Sequence, residues 1–161
     1  MKHDLIDELQ AQIDTLWAKA ELGEAITLSR VRLDDGSTHV EIVAGRLDIV
    51  GTERGRETMR KASLSLTEAS HFYLFDMAVW HAQQRELRER KPPENAPLIR
   101  NGATDDGYSR WNWMAPAIET MGRIDPDLGD WAMRYYSKAI RNSQLSDYEK
   151  RNAKWPLPPM L

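Results

Sequence analysis

Residues 38–50 read THVEIVAGRLDIV, and this stretch decides the fold. Val40 and Ile42 alternate with polar neighbours before Gly45, and Leu47 and Ile49 do so after it. A period of two sends every second side chain to one face, so the stretch predicts two strands joined by a turn at Gly45. Upstream, Asp34-Asp35-Gly36-Ser37 is suited to a hairpin turn, because Asp and Gly tolerate the positive φ that tight turns demand. Before that turn, Ile26 and Leu28, then Val31 and Leu33, repeat the alternation with a phase slip that a bulge near Ser29–Arg30 would absorb. Downstream, a turn at Glu53-Arg54-Gly55 leads into Glu57–Leu64, a more polar run suited to a sheet edge. The expectation is a sheet of four antiparallel strands.

Helices flank that sheet. In residues 3–22, Leu5, Leu9, Ile13, Leu16, Trp17 and Ala20 recur at helical spacing, and Gly23 is placed to stop the run. Ser65-Leu66-Thr67-Glu68 opens a long helix, with Ser65 or Thr67 as its cap, and Pro92-Pro93 closes it. Its inward stripe reads Ala69, Phe72, Tyr73, Trp80 and Leu87. Residues 92–108 form the longest stretch without periodicity, a length often reserved for function. Ser109 is placed to cap the next helix, which carries Trp111, Met114, Ile118 and Met121 on one face and Pro116 as a kink. Asp125-Pro126-Asp127 starts another, with Leu128, Trp131, Ala132, Tyr135 and Ala139 inward. The class is therefore α+β: an N-terminal helix, the four-stranded sheet, then a long helix and two to three C-terminal helices packed on one face. Residues 1–161 read as a single domain, with 146–161 a less ordered, proline-rich tail.

Composition narrows the function. The chain has no cysteine, which excludes a disulfide scaffold, thiolate metal sites and a thiol nucleophile. A net charge of −3 gives no general drive toward nucleic acid or anionic membrane. The start, MKHDLIDELQ, lacks the apolar core of a signal peptide, and no apolar run is long enough for a bilayer, so a cytoplasmic location is expected. No phosphate-cradling glycine loop, serine-nucleophile elbow or zinc-protease pair occurs, and the reading is of a protein that is not an enzyme and takes no cofactor and no metal.

A few residues stand out. His71 and His81 share the long helix but lie ten apart, which at about 100° per residue puts them on different faces. Asp76 falls between Phe72 or Tyr73 and Trp80 on the expected apolar stripe, so it reads as a buried structural charge that needs Arg110, Arg54 or Arg56 as partner. The alternative role for Asp76 is an acid or base of shifted pKa. Glu53-Arg54-Gly55-Arg56-Glu57 packs both signs of charge at a turn whose guanidinium groups are able to grip a partner's carboxylates. Asp105-Asp106-Gly107 lacks the further oxygens of a calcium loop. Trp111 and Trp113, two apart, cannot share one buried stripe, so one belongs at a margin or an interface. The candidate partner-binding residues are Glu53, Arg54, Arg56, Asp105, Asp106, Arg110 and Trp113.

The order of motifs carries a resemblance. A strand enters Glu53-Arg54-Gly55, a second polar strand follows, and a short Ser/Thr segment opens the helix FYLFDMAVWHAQQRELR. An acidic-to-arginine step, Asp106 to Arg110, precedes WNWM, and APAIETMGRIDPDLGDWAMRYY closes the match. From Val40 to Tyr136, about three-fifths of the chain, this resembles the Immunity protein 63 family of bacterial polymorphic-toxin systems. The resemblance implies a protein that binds and neutralises a cognate toxin without catalysis, and whose surface is its working part. The other readings are a regulatory or adaptor module that binds another protein, and an enzyme with a non-standard Asp/His site.

Overall fold

A computed structural model of the chain describes residues 3–159. The fold is α+β and divides into two compact units, Met1–Met77 and Ala78–Leu161.

In the first unit, α1 (Leu5–Ala18) begins at a capping box in which Asp4 accepts from the Ile6 and Asp7 amides. Leu9, Ile13 and Trp17 form its buried stripe. The helix ends at Ala18, short of Gly23. Segment 24–33 then runs extended but is not the expected first strand. Gln10 of α1 takes over its hydrogen bonding: the Leu28 amide donates to Gln10 Oε1 and Gln10 Nε2 donates to the Ile26 carbonyl, both at 2.8 Å. Arg30 binds Asp4 at 2.6 Å. A single backbone bond, from the Val40 amide to the Ser29 carbonyl, reaches the neighbouring strand. Val31 and Leu33 remain exposed, so the alternation here buries no second face.

The sheet therefore has three strands, β1 (Asp35–Val43), β2 (Arg46–Glu53) and β3 (Arg56–Leu64), in an antiparallel meander ordered as in the sequence. The polar run 57–64 is a genuine edge strand. Both hairpins turn through two residues at positive φ, Ala44-Gly45 and Arg54-Gly55, the geometry whose twist matches paired strands. Central strand β2 is buried from Leu47 to Thr52. Val40, Leu47 and Ile49 share one face by register, and His39, Glu41, Asp48 and Val50 share the other.

Helix α2 (Leu66–Glu89) is capped by Ser65: its hydroxyl accepts from the Glu68 amide and Glu68 accepts from the Ser65 amide. The buried stripe is rotated from the expected one. Ala69, Ser70, Tyr73, Leu74, Met77, Ala78, Ala82 and Glu86 are buried, whereas Trp80 and Leu87 are 57% and 59% exposed. Small residues mark the close-packed side and the large indole lies off it. In the first unit, the Tyr73 hydroxyl meets Thr38 of β1 at 3.1 Å.

The second unit adds α3 (Trp111–Ile124), α4 (Pro126–Asn142) and the short α5 (Asp147–Asn152). As expected, Trp111, Met114, Ile118 and Met121 are buried along α3, and Asp125 caps α4 by accepting from the Asp127 amide. Ser109 provides no side-chain cap for α3. The inward face of α4 is Leu128, Gly129, Ala132, Tyr136 and Ile140. Trp131 and Tyr135 instead stack on each other at 5.2 Å with about half their surface exposed. The tail is pinned as far as it is described: Trp111 Nε1 donates to the Pro156 carbonyl at 2.8 Å and the Lys154 amide to Asn112 Oδ1 at 2.8 Å. Met160 and Leu161, the end of the expected tail, lie outside the described residues.

Helices α3 and α4 approach so closely that a Cβ on Gly129 would lie 2.5 Å from the Gly122 Cα, whereas a Cβ on Gly122 meets no heavy atom within 4 Å. Gly129→Ala should cost about 1–3 kcal/mol through overpacking, while Gly122→Ala should gain about 0.5–1 kcal/mol from helix propensity. Denaturant unfolding of the two variants checks this, and equal effects of one sign would contradict the packing.

Candidate functional site

The residues of interest fall into three charged clusters. The first lies on the polar face of the sheet and is centred on Arg60 of β3. Its guanidinium donates to Glu57 at 2.8 and 3.1 Å, to Asp48 at 2.6 Å and to Glu41 at 3.1 Å. His39 Nε2 lies 2.9 Å from the other Glu41 oxygen, and Asp48 Oδ1 accepts the Ser63 amide at 2.8 Å. Each carboxyl is held below its usual range: Glu41 by His39 and then Arg60, Asp48 by the Ser63 amide and then Arg60, Glu57 by Arg60. The buried Asp48 needs that compensation. A carboxylate saturated in this way is a poor base.

The second cluster is the β2–β3 tip. Glu53, Arg54 and Arg56 are exposed, and among the described residues none of them makes an ion pair. Arg54 stands at φ 50 beside Gly55 at φ 78. A non-glycine residue in that region is strained, and Asn or Gly would sit there at lower cost.

The third lies in the second unit. Buried Glu149 of α5 accepts from the Arg110 amide at 3.1 Å, from Arg110 Nε at 2.8 Å, from Arg110 Nη2 at 3.1 Å and from the Ser146 amide at 3.0 Å. Burial pushes its pKa up, but the Arg110 and Ser146 donors together outweigh burial and hold it at about 2. Asp105 is fully buried and accepts from the Gly107 amide at 2.9 Å and Asn152 Nδ2 at 2.8 Å. Arg90 forks onto buried Glu86 at 2.9 and 2.7 Å, reaches Asp106 at 3.0 Å and lies over the Tyr108 ring at 4.7 Å. Gly107 is required here, because a Cβ would lie 2.0 Å from the Lys91 carbonyl oxygen. Trp113 donates to the Tyr108 hydroxyl at 3.3 Å and meets Tyr136 edge-on.

Several expected roles change accordingly. Asp105 and Arg110 are internal braces, not contact groups, because each is occupied by α5. Asp106 is exposed and pairs with Arg90. Trp113 is half-buried within the second unit. Asp76 is exposed on α2, and none of Arg110, Arg54 or Arg56 forms an ion pair with it among the described residues. Desolvation by the surrounding protein raises its carboxyl. It is not the buried structural charge expected, because the helix phase that would have buried it is rotated.

Arg60, Asp48, Glu86, Arg90 and Glu149 were not singled out from the sequence. Three had a local signal: Glu86 and Arg90 are four apart at the end of a helix, and Glu149 has capping-box spacing with Ser146. The Arg60 hub joins three strands and leaves no mark at short range. Among the described residues no group of three His, Asp or Glu side chains is placed to hold a metal ion, and no helix is long and apolar enough to cross a membrane.

The Glu149 pairing has a pH signature. Its carboxyl titrates at about 2 in the folded chain against an ordinary 4.5, so its contribution is complete above 4.5 and is lost as pH falls toward 2. A depression of that size corresponds to about 3 kcal/mol. Glu149→Gln should be the less stable protein at neutral pH, and the difference from the parent should shrink between pH 5 and 3. A difference independent of pH would refute the pairing.

No protein-family model matches the chain, and no curated protein or solved structure matches it either.

Proposed function

We propose that the chain is an immunity protein that binds a cognate bacterial toxin and neutralises it by protein–protein contact. The observation that carries this reading is the β2–β3 tip. Arginines elsewhere are largely consumed internally: Arg30, Arg32, Arg60, Arg90 and Arg110 all hold carboxylates at hydrogen-bonding distance. Arg54 and Arg56 hold none, and they project from a two-residue turn whose register is fixed by pairing on both sides. Two unpaired guanidinium groups on a backbone held in register suit bidentate capture of a partner's carboxylates. Arg54 also occupies a position where Asn or Gly would sit at lower cost, as does Ala44 in the other hairpin. The β1–β2 tip has the same backbone with Ala44 in place of Arg54, and its Arg46 donates to the Ser63 carbonyl at 2.9 Å and lies 3.8 Å from Glu68.

The order of motifs from Val40 to Tyr136 supports the toxin as the class of partner, through its likeness to the Immunity protein 63 family. The second-unit charges then serve as framework, and exposed Asp106 remains as a peripheral contact.

The reading predicts a toxin gene beside this one, and the test is co-expression with its product, followed by binding measurements on the purified pair. Arg54→Glu combined with Arg56→Glu should weaken binding at least about a hundredfold and abolish protection, since loss of paired interfacial charges costs several kcal/mol. Arg54→Asn should raise the unfolding midpoint while weakening binding; Ala44→Asn should raise it and leave binding intact. Absence of protection by the parent protein would sink the toxin reading. Protection unaltered by the double reversal would sink the tip as the contact.

A further inference from the structure

The C-terminal end of α4, α5 and the tail enclose a groove of about 300 Å³. Ile140, Leu145, Leu157 and Pro158 supply its apolar lining, and Arg141 and Lys150 stand beside them. The groove is held open by bonds already described. The tail wall is fixed by the Trp111 bond to the Pro156 carbonyl, one residue before Leu157. The α5 wall is fixed by Glu149, one residue before Lys150, through its bonds to Arg110. A concavity kept by such braces loses little entropy when filled.

Two cations flank the hollow, Arg141 and Lys150. Arg85, Arg90, Arg110 and Arg123 all pair with glutamates. Arg141 and Lys150 are exposed, and among the described residues neither has an ion-pair partner. Two like charges beside one apolar hollow select against a cationic or neutral guest and in favour of an anionic one. The carbonyl end of α4 offers an anion nothing, so selectivity falls to these two side chains. The size is at the small end for ligand sites, enough for one narrow chain and too little for a two-chain lipid or a packed helix.

We propose that this groove binds a free single-chain amphiphile with a carboxylate head, its chain against Ile140, Leu145, Leu157 and Pro158 and its head between Arg141 and Lys150. The guanidinium takes the carboxylate by parallel N–H bonds and the ammonium adds a point charge, while burial of the chain provides most of the affinity. The assignment does not rest on the toxin reading.

The experiment uses the full chain and dodecanoate below its micellar concentration, followed by calorimetry and by amide and methyl shifts. One saturable site is expected, with shifts confined to Ile140, Leu145, Lys150 and Leu157. Arg141→Gln with Lys150→Gln should weaken dodecanoate by at least about tenfold, the scale of losing charge-assisted hydrogen bonds. Both side chains are exposed, so the fold should survive, and an unchanged circular dichroism spectrum and melting curve verify this. Dodecyltrimethylammonium, with the same chain and the opposite head, should not compete. No saturable binding, equal binding of the two amphiphiles, or an unchanged affinity in the double variant would each overturn the proposal. So would co-sedimentation with anionic phosphatidylglycerol vesicles in the absence of dodecanoate binding, which would make the patch a membrane contact.

Discussion

The carboxylate of Glu149 is the constraint on which the second unit depends. A buried anion has to be compensated at close range or it destabilises the fold by several kcal/mol. Here compensation comes from the Arg110 guanidinium, the Arg110 amide and the Ser146 amide, all at 2.8–3.1 Å. Those donors lie at the start of α3 and the start of α5, so satisfying one charge fixes two helices, and with them the segments that precede α3 and follow α5. Asn152, the last residue of α5, then reaches buried Asp105, and Asn112 holds the chain on either side of Ala153. The aperiodic stretch 92–108 becomes a defined loop because its acids are used as ties.

The same logic operates in the first unit with the sign reversed. There one cation, Arg60, is shared among Glu41, Asp48 and Glu57, and it lets a polar side chain sit beneath the surface of a central strand. Several cations stand outside these networks, two pairs of them at places the proposals use. The Arg54 and Arg56 pair is left at the hairpin tip, and Arg141 and Lys150 are left beside the apolar groove. Partner recognition on the proposed reading uses the first pair, and ligand selection uses the second.

Much of the local architecture was legible in the sequence. The alternation about Gly45, the Ser65 and Asp125 caps and the apolar face of α3 are all encoded within a few residues, where sterics and capping chemistry decide. What was not legible was set by distant groups. Segment 24–33 has strand periodicity, yet Gln10 claims its backbone and one bond to β1 is all that remains of the expected ladder. The large aromatics of α2 point to the wrong helix phase. The close-packed side is in fact built from Ala69, Ser70, Ala78 and Ala82, and Trp80 is displaced from it. The same error rotated α4 toward Trp131 and Tyr135, although Leu128, Ala132, Tyr136 and Ile140 form an uninterrupted stripe at spacing four. Asp76 inherited its supposed burial from the wrong phase. Of the candidate contact residues, the tip charges are exposed, as a charged hairpin turn implies. Asp105 and Arg110 bond to α5, and their partners lie 47 and 39 residues away along the chain, beyond the reach of local pattern.

The most direct test of this account is amide hydrogen exchange on the parent protein and Glu149→Gln at neutral pH. If a single buried charge ties α3 to α5 and the tail, the variant should lose protection at Arg110, at Ser146 and at the amides of 150–155, while the β2 amides exchange as before. Unaltered protection across 150–155 would contradict it, and would mean that apolar packing alone holds the tail and that the carboxylate is incidental.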